Sequence, residues 1–328
     1  MHFVGISFYG ALWQSPCLVW QFTYRSDFLI SLIQQHPWRS LLLVGWVVLL
    51  VVQPGLPELF AEYSGFTLLG IVGAVFANAT GAGGGVVFVP FFHQLGIPSV
   101  SIIATSFAIQ CCGMTAGAIT WYHHYTRQQH TSDQQAWKPL PRVLSISIPA
   151  SLAGIWLAQW GADLPGVRIL GQHLSSLHIA FSVFSVALAI AIFASVPLLA
   201  RQHQTSQLTA ADNIAVVLVC LAGGMVTAWL SVGVGELLAV YLIMRRFSVT
   251  MAIASAVILT AFTVWGACFY HLVQTQAIYF NIVLFAGAGA VAGGILARRV
   301  VLAFKPAHLK IFFGSWVLVM GLAGLPIF

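Results

Sequence analysis

Two glycine clusters hold the residues of this chain best placed to do chemistry. The first reads Ala79-Thr80-Gly81-Ala82-Gly83-Gly84-Gly85-Val86, the second Leu230-Ser231-Val232-Gly233-Val234-Gly235-Glu236. Each interrupts a long apolar segment. Glycine permits positive φ and lets a ligand approach the main chain. A half-helix starting just past Gly85 or Gly235 would aim free N–H groups and its positive dipole end at whatever lies ahead, which suits a small anion. The plainer reading is close helix packing through small residues. Position favours the site: a shift of 150 residues lays Gly73 on Gly223, Gly83 on Gly233, Gly85 on Gly235, Ala104 on Ala254 and Thr105 on Ser255. Paired breaks in matching apolar segments are the sequence mark of a secondary transporter's binding site.

Hydroxyls supply the second group of candidates. Thr105, Ser106 and Ser255 lie in the segments after the breaks, and Thr80 and Ser231 lie within the breaks. Each could donate to an oxyanion or bond back to its own helix carbonyl. Asn78 and Gln110 are weaker candidates of the same kind. Glu236 is the one acidic residue well inside an apolar segment. A carboxyl at that depth is costly and reads as functional, here as a proton carrier coupled to an anion; the other reading is a neutral acid bracing the turn. His123, His124 and His271 close two equivalent segments and read as interfacial anchors before gates. Cys111-Cys112 reads as core packing.

These residues need a frame, and composition provides it. Of 328 residues 59% are hydrophobic and 6% charged, against roughly a quarter charged in soluble domains. The expected class is an all-α polytopic membrane protein. Apolar segments fall near 40–60, 66–92, 99–121, 140–160, 176–200, 213–244, 249–271, 278–297 and 309–328, about eight or nine in all. Residues 1–24 read as an interfacial aromatic segment before an extra span. The expected organisation is an N-terminal segment over 1–60, a first repeat over 66–200 and a second over 213–328, with the polar loop near 201–212 between them.

Charge placement chooses between two threadings. If 66–92 and 213–244 each cross once, nine of the 13 basic residues fall on the cytoplasmic side and four outside. If each dips in and returns, every basic residue except Arg168 is cytoplasmic. The positive-inside rule prefers the second. Its consequence is that the two hairpins enter from opposite faces, an inverted repeat of helical bundles with a cytoplasmic N-terminus.

Several classes drop out. The net charge of +6 is scattered between apolar segments and forms no stripe for nucleic acid. No CxxC or other metal-ligand spacing is present, no GxxxxGK[ST] and no GxSxG serine, so the expectation is no metal, no cofactor and no enzyme. A secondary transporter of a small anion is the leading class. A non-transporting sensor or assembly partner, using the glycines purely for packing, is the alternative.

The run Gly81-Ala82-Gly83-Gly84-Gly85-Val86-Val87-Phe88-Val89-Pro90-Phe91-Phe92, followed by Gly96, Ala104-Thr105-Ser106 and Gly117, resembles the TauE/SafE family of membrane permeases, called sulfite exporters. The resemblance covers most of 66–328. The second motif is degraded, with Gly233-Val234-Gly235-Glu236 where relatives repeat a double or triple glycine. The resemblance implies export of sulfite or an organosulfonate across a bacterial inner membrane by alternating access. The residues themselves place that substrate at Thr80, Gly81, Gly83, Gly84, Gly85, Thr105, Ser106, Ser231, Gly233, Gly235 and Ser255, with Glu236 as the candidate for proton coupling.

Overall fold

The computed structural model describes residues 37–161, 177–197 and 207–323. The interfacial reading of 1–24, the place of Arg168 and the first half of the loop near 201–212 lie outside the described residues. The chain divides into two compact units, Met1–Leu56 and Pro57–Phe328. In the first, helix α1 spans Pro37–Val51.

All regular structure among the described residues is helical. After α2 (Leu56–Tyr63) come α3 (Gly65–Thr80), α4 (Gly85–Gln94), α5 (Ser99–Gln128), the one-turn α6 (Gln134–Trp137), α7 (Leu140–Trp160) and α8 (Leu177–Ser195). The second half supplies α9 (Ala210–Leu230), α10 (Val234–Met244), α11 (Val249–Tyr270), α12 (Phe280–Ala303) and α13 (Pro306–Ala323). Among the described residues five helices are long and apolar enough to cross a membrane: α5, α6 with α7, α9, α11 with its terminal π-turn, and α12. Leu218, Phe262, Phe269 and Leu296 stay exposed on their outer faces, a surface that lipid covers without cost and water does not.

The glycine clusters end helices and begin short ones. At the end of α3, Gly81 takes φ 83° and its N–H returns to the Ala77 carbonyl at 2.8 Å. At the equivalent end of α9, Ser231 takes φ 60° and bonds Thr227 at 2.8 Å. Left-handed backbone is unfavourable for serine, so the surroundings must hold it. The helices that follow, α4 and α10, have 10 and 11 residues, about half of the ~20 a full crossing needs.

Both short helices turn back. The Phe66 ring at the start of α3 lies 6.2 Å from Phe91 and from Phe92 at the end of α4. In the second half Tyr241 donates to Asp212 at 2.7 Å, and Arg245 pairs with the same carboxylate. Asp212 sits in the first turn of α9, where it also forms a capping box with Thr209. Each break is therefore the tip of a hairpin whose ends meet.

The long helices that follow run in opposite directions. Phe107 stacks on His271 at 5.7 Å, the Cys111 thiol donates to the Val264 carbonyl at 3.5 Å, and Trp265 donates to Thr115 at 2.9 Å. Phe107 early in α5 meets His271 just past the end of α11, whereas Cys111 and Thr115 further along α5 meet Val264 and Trp265 further back, so these equivalent helices are antiparallel. Partners are exchanged between halves: α3 packs on α12, and α9 packs on α7. Close approach makes this possible, because a Cβ on Gly70, Gly289, Gly294, Gly154 or Gly224 would land on a carbonyl of the neighbouring helix.

Direction also sorts the charges. Gly113 meets Ala74 and Gly117 meets Asn78, so α3 and α5 are parallel; Gly70 meets Ala286 and Gly293 meets Ala74, so α12 is parallel to both. Arg127 at the end of α5, Lys138 and Arg142 at the start of α7, and Arg298, Arg299 and Lys305 at the end of α12 thus share one end of the bundle. Because α11 is antiparallel to α5, Arg245 and Arg246 before it join them. Glu58 and Glu62 in α2, just before α3, lie at the other end. Single cysteines introduced as Arg127→Cys, Arg246→Cys and Arg299→Cys should all react with a membrane-impermeant maleimide from the same face; labelling of any one from the opposite face contradicts this arrangement.

Candidate functional site

The two hairpin tips meet each other. Gly85, opening α4, packs so closely on the Ser231 carbonyl that a Cβ would overlap it. Gly235, in the first turn of α10, packs in the same way on the Gly81 carbonyl. Gly85 and Gly235 are 150 residues apart, as are Gly81 and Ser231. The contact is thus reciprocal: each half presents a glycine to the left-handed carbonyl of the other.

Side chains from α5 and α11 cross over to hold these carbonyls. Gln110 donates from Nε2 to the Ser231 carbonyl at 3.3 Å, to Ser231 Oγ at 2.8 Å and to Ser106 Oγ at 3.1 Å. Its Oε1 accepts the Gly84 N–H at 2.8 Å. Ser231 Oγ donates to Ser106 Oγ at 2.9 Å. In the other half Thr260 donates to the Gly81 carbonyl at 3.4 Å, and Thr227 Oγ1 accepts the Val234 N–H at 2.9 Å. Gln110, Ser106, Ser231, Thr227 and Thr260 are all buried. The N–H of Gly84, which caps α4, and that of Val234, which opens α10, are therefore each taken by a side chain.

The sequence candidates divide accordingly. Gly81, Gly83, Gly84, Gly85, Ser106, Ser231 and Gly235 converge on the junction, Gly83 facing the Gln110 carboxamide. Gly233 takes φ 137° beside Phe184, Val226 and Thr227, and sets the turn into α10. Thr80 bonds back to the Phe76 carbonyl and accepts the Ala82 N–H. Thr105 and Ser255 are drawn elsewhere: Thr105 accepts the Tyr279 N–H at 3.0 Å, and Ser255 returns to Met251 at 2.9 Å. Asn78 bridges α3 and α5 by donating to Ala74 and Gly113. Thr260 and Thr227 complete the site without having stood out in the sequence. The same 150-residue shift that pairs the glycines places Thr260 on Gln110.

Glu236 is 3% exposed, one residue beyond the contact glycine. Its carboxyl lies by the backbone N–H groups at the start of α10, yet neither oxygen completes a hydrogen bond. A buried polar group without a partner is expensive and calls for an explanation. His123 is exposed and His124 lies between Trp121 and Trp137, at 5.7 and 5.3 Å. His271 is buried against Phe107 at the head of a π-turn, away from the surface that an interfacial anchor would occupy. Cys111 is buried in the α5–α11 seam and Cys112 half-buried beside it. A cavity of about 360 Å³ between α3, α4 and Trp316 is lined mainly by Leu68, Leu69, Val72, Val87 and Phe91. It is apolar and contains none of the junction residues.

Long apolar helices with lipid-compatible outer faces and a buried polar junction define a multi-pass membrane protein. Residues 66–324 match the family of the sulfite exporter TauE/SafE. The match takes in both hairpins and most of the chain, and the protein belongs to that family of membrane transporters. No curated protein and no solved structure matches the chain.

The junction makes a packing prediction. Gly85→Ala and Gly235→Ala each drive a methyl into the opposing backbone, and each should lower the melting temperature of the purified protein, by about 1–3 kcal/mol of stability. Gly84→Ala meets the edge of the Phe88 ring and the Gln110 stem, which can shift, and should cost less. Equal melting temperatures for all three variants and the wild type would show that the close contact is not structural.

Proposed function

We propose that this protein is a secondary transporter that exports sulfite or an organosulfonate by alternating access, with its substrate held where the two hairpin tips meet. The observation that carries this reading is the reciprocal, buried contact of Gly85 with Ser231 and Gly235 with Gly81. Broken helices that meet inside a bundle put main-chain dipoles and N–H groups where a membrane otherwise allows none. Membership of the sulfite exporter family supports the sulfur oxyanion class.

Helix direction supports an inverted repeat. Since α5 and α11 are antiparallel and each hairpin turns back, one tip is reached from the basic end and the other from the opposite end. The repeats are those over 66–200 and 213–328. Clustering of basic residues at one end supports a cytoplasmic placement of that end in a bacterial inner membrane. The closed junction is then the occluded form, and rocking of one hairpin at a time opens the site to one face. Gly83, Gly84, Gly85, Ser106, Ser231 and Gly235 are the binding groups; Thr105 and Ser255 serve packing. Glu236, buried with both oxygens unpartnered, is a proton site within reach of the moving half-helix.

Reconstitution in proteoliposomes tests the reading. Against sulfite, an alkyl sulfonate, thiosulfate and simple carboxylates, with and without a pH gradient, the sulfur oxyanions should move and the gradient should drive them. A folded protein that moves no anion would instead favour a sensor or assembly partner. Glu236→Gln should fold and bind anion but lose the response of flux to the pH gradient; an unchanged response would reduce Glu236 to a brace of the turn.

A further inference from the structure

Side-chain donors converge on one side of the junction. Gln110 offers two amide hydrogens to three neighbours, namely Ser106 Oγ, Ser231 Oγ and the Ser231 carbonyl. Ser231 gives its hydroxyl hydrogen to Ser106. Ser106 accepts from both. On the same Gln110 side chain, Oε1 accepts the Gly84 N–H. Amide and hydroxyl donors that converge at one buried point from three side chains can together meet the several oxygens of an oxyanion.

The equivalent positions in the other half do not reproduce this. Shifted by 150 residues, Ser106 becomes Ala256 and Gln110 becomes Thr260, whose single bond to Gly81 is long at 3.4 Å. A symmetric frame therefore carries a one-sided donor set. That set also ties the hairpins together, because the Gln110 amide of the first half grips the turn of the second.

We propose that Gln110 is a substrate ligand that doubles as the latch between the hairpins. An oxyanion entering the junction takes the amide hydrogens of Gln110 with the hydroxyl hydrogens of Ser106 and Ser231. The Ser231 turn is thereby released, and binding itself unlocks the second hairpin. The oxygen-rich anion is favoured over a halide because the donors are spread over three side chains and need several acceptor atoms to satisfy them. A neutral amide rather than a cation lets the anion leave again. The proposal rests on the junction being the transport site, and it adds the residue that reads the substrate there.

Flux of sulfite in proteoliposomes, with chloride as the comparison anion, decides the matter. Gln110→Met keeps the length of the side chain and removes its donors; Ser106→Ala installs the residue already present at the equivalent Ala256. Both should raise the KM for sulfite by ~10-fold or more and shrink the preference over chloride. Both should also abolish the rise in melting temperature that sulfite gives the wild type. If Gln110→Met does not fold, Ser106→Ala alone carries the decision. Sulfite KM and selectivity within twofold of wild type in the folded variants would overturn the proposal while leaving transport at the junction intact. A wild type that moves no sulfite would remove the transport reading, and this inference with it.

Discussion

A carbonyl at the end of a broken helix, buried at membrane depth, must find a donor. Gly81 and Ser231 present two such carbonyls in left-handed turns, and water is not there to pay the cost of leaving them bare. Each is covered by the other half: Gln110 reaches the Ser231 carbonyl and Thr260 reaches that of Gly81. The cover works only because Gly235 and Gly85 let the opposing backbones touch. Neither hairpin can be sound alone. The rest of the architecture is arranged so that the two tips arrive at one place from opposite ends.

Helix pairing follows from that requirement. The tips face each other when their supporting helices are antiparallel, as α5 and α11 are, and when each hairpin leans on the far half, as α3 does on α12 and α9 on α7. The exchange binds the halves over the whole bundle, while the polar bonds between them concentrate at the junction and in a few seams such as Ser151 with Thr263 at 2.8 Å. A small rearrangement at the junction therefore acts where the two halves are most specifically joined. That is a suitable place for a substrate to control which end is open.

Much of this was legible in the sequence, for physical reasons. Glycine breaks in apolar segments are rare enough to stand out, and their 150-residue spacing survived although few other identities did. Basic residues indicated the hairpin threading because their placement depends on topology rather than on packing. Hydroxyls were harder. Thr105, Ser106 and Ser255 look alike in sequence, but only Ser106 faces the junction. Thr105 is taken by the Tyr279 N–H and Ser255 by its own helix, since a rotation of about 100° per residue sends neighbours to different faces. Gln110 ranked low because its reach across to Ser231, 121 residues away, is a tertiary fact. Thr260 became visible only once the repeat was applied to Gln110.

The most direct test of the central claim is to see the anion. Crystals soaked in selenite, an oxyanion of the same shape as sulfite with a strong anomalous signal, would locate it without ambiguity. The account predicts a peak with its oxygens within about 3.3 Å of the Gln110 amide and the Ser106 and Ser231 hydroxyls, and a Ser231 turn freed from Gln110. A peak elsewhere, for instance in the groove beside Trp316, with the Gln110–Ser231 bonds unbroken, would contradict it.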